Sequence, residues 1–189
     1  GRRNFGWCKS VDQIKQKKIA FLFSGQGAQY SGMGKELAEI SPAAQAVFTM
    51  ADAVRPGTSE QCFSGSKELL SQTINTQPCL FCVDLAAAEA LKETGIMPVA
   101  VAGFSLGELA ALAFVEAMSY EAAFRLVCRR AEAMDESSRK TNSTMAAVIK
   151  LPTETVKEVC AKYEGIYPVN FNCAQQTVVA GKVGGFGEF

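Results

Sequence analysis

Histidine is absent from all 189 residues. Within this chain there is therefore no Ser-His-Asp triad, no HExxH zinc site and no Cys2His2 finger. Surplus charge of either sign is absent too, because 19 basic side chains meet 19 acidic ones. That balance argues against a nucleic-acid binder that works by neutralising phosphates. Long apolar runs are also missing. The most membrane-like stretch, 97–115, has a single charge at Glu108 but carries Pro98, Gly103, Ser105 and Gly107 near its middle. It reads as a buried strand, a tight turn and a helix rather than a span. The opening 18 residues hold six basic residues and one acid, yet the apolar run that follows, Ile19 to Phe23, is far shorter than a secretory h-region.

What is present suits a globular domain, or a domain with a small appendage, able to bury a core. Apolar residues make up 48% of the chain and mean hydropathy is +0.08, which excludes a disordered tail. The seven cysteines, Cys8, Cys62, Cys79, Cys82, Cys128, Cys160 and Cys173, are odd in number and irregular in spacing. They read as reduced thiols of a cytoplasmic protein. Cys79-Leu-Phe-Cys82 is formally a CxxC, but it has no second ligand pair and reads as two buried helix positions. No metal site is expected.

Ile19 to Phe23 has the continuous apolar, β-prone pattern of a buried parallel strand. It breaks at Ser24-Gly-Gln-Gly-Ala-Gln29. Ser41-Pro42 supplies a cap and an N1 proline for a helix running to about Val54. Pro78 is expected to open a second helix that Gly95 ends. Val99 to Ala102 reads as another short strand, followed by a helix to about Phe114. Ser119 caps a longer helix ending near Glu136. This alternation predicts an α/β core with a parallel sheet over residues 18–136. The polar stretch Asp135 to Ser143 reads as a linker. Beyond it, strands at Met145 to Leu151, Tyr167 to Asn172 and Thr177 to Ala180, with a helix from Thr153 to Tyr163, give a β-α-β-β order. That is a partial ferredoxin-like subdomain over 137–189, cut off before its last helix and strand.

The strongest chemical signal is Gly103-Phe104-Ser105-Leu106-Gly107, a GxSxG flanked by a strand and a helix, as a nucleophile elbow requires. Its two glycines permit a tight turn that lifts the Ser105 hydroxyl clear of the sheet. The first N–H groups of the new helix, beginning with Leu106, then face the reacting carbonyl. The glycine-rich loop after the first strand ends on the same sheet edge, and the Gln26 N–H is a candidate second oxyanion donor. No GxGxxG or GxxxxGK phosphate loop is present. On a helical wheel, Ala123, Phe124, Val127, Ala131 and Met134 form an apolar arc, and Arg125, Arg129, Glu132 and Glu136 the opposite, ion-paired face. Arg130 falls inside the apolar arc. A guanidinium pointing inward must pair with an internal acid or face a polar cleft, where its fork suits a carboxylate. Wheel geometry alone leaves both open.

With FSGQGAQ (23–29), NTQPCLF (75–81), GFSLGELAAL (103–112), RLVCRR (125–130) and the VNFN…QTVVAG stretch (169–181) in this order, the chain resembles the acyl-carrier-protein S-malonyltransferases. The resemblance implies an α/β-hydrolase-like core, here incomplete, with an inserted ferredoxin-like small domain. It implies that Ser105 takes malonyl from malonyl-CoA and passes it to the phosphopantetheine thiol of acyl carrier protein. Gln26 and Leu106 would supply the oxyanion hole, and Arg130 would grip the malonyl carboxylate. Gln77 and Asn172 would lie nearby as substrate-binding residues. No cofactor is implied, coenzyme A thioester being a substrate, and neither nucleic acid nor membrane is a partner. Three departures stand out. Phe104 replaces the histidine usual before the serine. The family's catalytic histidine belongs to a segment downstream of the small domain, so the chain reads as truncated before it and weak or inactive. The leader, 1–17, has no counterpart and reads as an artefact. Two other readings fit a histidine-free chain: a serine hydrolase with a Ser-Asp dyad, for which Asp135 is the candidate, and a non-catalytic carrier-protein-binding module.

Overall fold

A computed structural model describes residues 17–140 and 142–187. All of the expected leader except Lys17 lies outside them, Cys8 included. The chain divides into two compact units, the second beginning at Glu136.

In the first unit, β1 (Ala20–Phe23) pairs in parallel with β2 (Ala100–Gly103), in a register that sets Phe23 opposite Gly103. Around them lie α1 (Lys35–Ile40), α2 (Pro42–Val54), α3 (Thr58–Ser64), α4 (Lys67–Ser71), α5 (Thr73–Glu93), α6 (Leu106–Phe114) and α7 (Tyr120–Lys140). The α/β character and the parallel pairing are as the sequence predicts. The cap at Ser41 is as expected: its hydroxyl accepts from the Ala44 N–H at 3.1 Å, and it also donates to Glu93 at 2.6 Å. The core is built on α5, whose Cys79, Leu80, Phe81, Cys82, Leu85 and Ala86 are buried. Aromatic rings fix its neighbours. Phe114 of α6 lies 5.5 Å from Phe21 and 5.8 Å from Phe23, and Phe81 lies 5.9 Å from Phe124 of α7. No helix among the described residues is long and apolar enough to cross a membrane.

In the second unit, β3 (Ser143–Ile149), β4 (Ile166–Cys173) and β5 (Gln176–Lys182) form an antiparallel sheet of order β3-β5-β4, with α8 (Thr153–Cys160) between β3 and β4 in the chain. Val156, Cys160, Ile166 and Val179 are its buried core.

Several boundaries differ from expectation. Helix α5 starts at Thr73, so Pro78 sits inside it rather than at its start. The first turn is anchored by the Gln72 carbonyl, which accepts from the N–H groups of Asn75 and Thr76 and from the Thr76 hydroxyl. Proline then removes only one rung of the ladder. Helix α7 continues to Lys140, through much of the expected linker. A Glu136–Lys140 pair at 2.6 Å and a basic last turn support it there. Strand β3 is shifted towards the N-terminus because the chain turns at Lys150, whose φ is 65°. The short helices α1, α3 and α4 have five to seven residues, too few for a periodic pattern to show.

Candidate active site

The turn that carries Ser105 follows from close packing. Gly107, in the first turn of α6, lies so near β1 that a Cβ there would stand 2.3 Å from the Phe23 carbonyl oxygen and 2.6 Å from that of Ser24. A Cβ on Gly103 would stand 2.1 Å from the Gly107 carbonyl carbon. Strand and helix can meet this tightly only with glycine at both positions. The residue between them, Ser105, is forced to φ 53° and ψ −103°, a conformation that a side chain rarely adopts outside functional turns. The GxSxG is thus a strained strand-to-helix elbow. Leu106 is the first residue of the helix, where N–H groups lack intrahelical acceptors.

The loop after β1 comes to the same place. Phe104 donates its N–H to the Phe23 carbonyl at 3.1 Å. A Cβ on Gly25 would stand 2.6 Å from the Phe104 carbonyl oxygen, so loop and elbow are in contact. Gln26 forms the tip of a turn closed by Ala28 N–H to Gly25 O at 3.3 Å, with Gly27 at φ 117°. The Gln26 side chain donates to Thr73 at 3.2 Å. Phe104 itself is 53% exposed beside the serine.

Arg130 resolves the ambiguity of the wheel. Its Nη2 donates to Ser105 Oγ at 3.0 Å and its Nη1 to Gln77 Oε1 at 2.6 Å. Gln77 is fully buried, and its Nε2 donates to Met134 Sδ at 3.2 Å. The inward arginine therefore faces the Ser105 hydroxyl and is steered by a neutral glutamine. No acid pairs with it among the described residues. Ala123, Phe124, Val127 and Ala131 are buried as the arc requires, whereas Met134 is 44% exposed, near the end of that arc. Arg125 and Arg129 pair outside with Glu121 and Glu132.

Among the described residues the hydroxyl of Ser105 is held by Arg130, not by an aspartate. A guanidinium donates hydrogen bonds but cannot take a proton, so Arg130 cannot deprotonate the hydroxyl it holds. Asn172 lies on β4 in the second unit, exposed, and donates to Gln176 on the same hairpin at 3.4 Å.

A pair with no signature in the sequence joins the start of the loop after β1 to α5. Ser24 Oγ donates to Asp84 Oδ1 at 2.8 Å. The other oxygen, Oδ2, is buried with no protein partner among the described residues. Burial pushes the Asp84 carboxyl up to about 6, although bonds from Ser24 oppose the shift. An aspartate in the alanine- and leucine-rich stretch of α5 was the available signal.

The chain matches the acyl transferase domain family over residues 20–189. It is 42% identical over 173 residues to the malonyl CoA-acyl carrier protein transacylase of Bacillus subtilis strain 168, covering 89% of this chain and 55% of that protein. A solved malonyl-transacylase in complex with a type II polyketide-synthase acyl-carrier protein superposes with a TM-score of 0.84 at 31% identity, over 90% of this chain and 57% of that one. The Streptococcus pneumoniae MCAT structure superposes at 0.82 with 35% identity, over 90% and 57%. The chain thus spans little more than half the length of these relatives.

Proposed function

The chain belongs to the acyl transferase domain family, and from that premise we propose that it carries the nucleophile half of a malonyl-CoA:acyl-carrier-protein transacylase site. One observation carries the reading: Ser105 stands on a strained elbow with Arg130 3.0 Å from its hydroxyl.

Ser105 Oγ attacks the thioester carbonyl of malonyl-CoA; a C–O bond forms, the C–S bond breaks and coenzyme A leaves as the thiol. The N–H groups of Gln26 and Leu106 receive the oxyanion. The malonyl carboxylate takes the Arg130 fork in place of the serine hydroxyl, with Gln77 holding the fork's other side. The phosphopantetheine thiol of an acyl carrier protein then displaces the acyl group from serine. The proton that leaves Oγ needs a base, and these 189 residues contain no histidine to serve. A missing base typically costs about 10²–10⁴ in rate, so turnover by this polypeptide should be weak. Asn172 enters as a substrate contact on family resemblance alone. The β3-β5-β4 order supports a ferredoxin-like second unit, and the strand-elbow-helix supports a hydrolase-like first.

Mass spectrometry of the polypeptide incubated with malonyl-CoA, with imidazole supplied as base, tests this reading. Malonyl should appear on Ser105, vanish in Ser105→Ala and fall sharply in Arg130→Met, while uptake from acetyl-CoA in a parallel incubation holds or rises in Arg130→Met, since the bond to the serine hydroxyl is gone. Labelling elsewhere, or malonyl uptake indifferent to Arg130, would overturn it.

A further inference from the structure

A cavity of about 460 Å³ lies where the end of α2, the first turn of α5 and the outer face of α7 meet. Three guanidinium groups, Arg55, Arg125 and Arg129, line it against one carboxylate, Glu132. Arg55 is half-buried, and all its hydrogen bonds go to neutral oxygens. Nη1 donates to Gln61 Oε1 at 2.8 Å and Thr58 Oγ1 at 3.3 Å, and Nη2 to Asn75 Oδ1 at 2.7 Å. No carboxylate lies within ion-pair distance of Arg55 among the described residues.

Its partners are fixed in turn. Asn75 donates to the Leu69 carbonyl and to Gln72, both at 3.2 Å, and Thr58 donates to the Arg55 carbonyl at 2.6 Å. The fork is therefore positioned before any ligand arrives, which lowers the ordering cost of binding. A partly desolvated cation without a counter-charge is expensive to keep, and an incoming anion relieves that cost. Arg125 and Arg129 are exposed and pair with acids of their own helix. Such surface pairs are weak and exchange readily for phosphate, which guanidinium groups bind in two-pronged fashion. Glu132 repels a bare anion but accepts from a hydroxyl. Val54 and Ile74 add an apolar wall.

We propose that this cavity binds a phosphate monoester that carries hydroxyl groups, the chemistry of a nucleotide or sugar phosphate. Its volume lies within the range of small-molecule sites. The assignment stands apart from the serine chemistry.

Calorimetric titration of the purified chain with adenosine 3′,5′-bisphosphate, glucose 6-phosphate and inorganic pyrophosphate tests it. At least one of the two organic phosphates should bind more tightly than pyrophosphate, and which of them does identifies the source. Affinity should fall about tenfold or more in the double variant Arg125→Ser/Arg129→Ser, whose side chains are exposed, and fall with added salt. Arg55→Gln should abolish binding, and the double variant keeps the test valid if that one does not fold. Ser105→Ala should bind as the parent does. Absence of binding at millimolar probe overturns the proposal. So does pyrophosphate equal to both organic phosphates, full affinity in the double variant, or loss of binding in Ser105→Ala.

Discussion

Replacing Asp84 by asparagine should make the protein more stable at neutral pH, and by an amount that depends on pH. Asp84 keeps one oxygen on the Ser24 hydroxyl at 2.8 Å and buries the other without a protein partner. Its carboxyl is raised from 3.8 to about 6, chiefly by desolvation. Between those values the folded state holds a proton that the unfolded state has released, so stability falls as pH rises. Below 3.8 both states are protonated and the penalty is absent; above about 6 it is complete. At about 1.4 kcal/mol per pH unit, that rise amounts to about 3 kcal/mol at most. Asparagine keeps an acceptor for Ser24 and never ionises. The difference between Asp84→Asn and the parent should therefore be small near pH 4 and grow to about 1–3 kcal/mol near pH 7.5. Urea unfolding followed by far-UV circular dichroism across that range reads it directly, because the difference cancels the other carboxylates. Parallel curves for the two proteins would refute the argument, as would an asparagine variant that loses ground as pH rises.

Two further substitutions probe the elbow. Gly107→Ala drives a methyl to 2.3 Å from the Phe23 carbonyl; it should destabilise by about 3 kcal/mol or more in urea unfolding, and a loss under about 1 kcal/mol would show that strand and helix are not so tightly packed. Ser105→Gly removes the Cβ from a residue at φ 53° and should exceed Ser105→Ala in stability by about 1 kcal/mol, although neither takes up an acyl group; equal melting temperatures would mean the backbone relaxes and stores no strain there.

Much of this architecture was legible because it rests on local rules. The apolar runs at β1 and β2, the cap at Ser41 and the two glycines around Ser105 each constrain a few neighbouring residues, and the chain obeys them. The inward placement of Arg130 was also readable, since a wheel needs only the residues of one helix. What the arginine meets was not readable: Gln77 and Ser105 lie 53 and 25 positions away in sequence, and only the packing of α5 against the elbow joins them. Pro78 lies inside a helix rather than at its start for a related reason. Its local preference favours a helix start, but bonds from Asn75 and Thr76 to the Gln72 carbonyl begin the helix five residues earlier. Asp84 was not readable because a single acid in an apolar stretch signals nothing until the fold brings Ser24, at the start of the loop after β1, to it.

The contact between Arg130 and Ser105 also bears on the absence of histidine from these residues. A guanidinium donating to Oγ favours developing negative charge on that oxygen, yet it offers no lone pair to take the proton away. A carboxylate-bearing acyl group changes this balance, because a charge-assisted bond to carboxylate is roughly twice as strong as one to a neutral hydroxyl. Arg130 should then release the serine to bind substrate, with Gln77 retaining the other nitrogen. An acyl group without a carboxylate gives the arginine no reason to leave, and the hydroxyl stays engaged. On the proposed reading, the same arginine would select the substrate and restrain Ser105 until the right one arrives. Discrimination of this kind needs no base; only the proton transfer does.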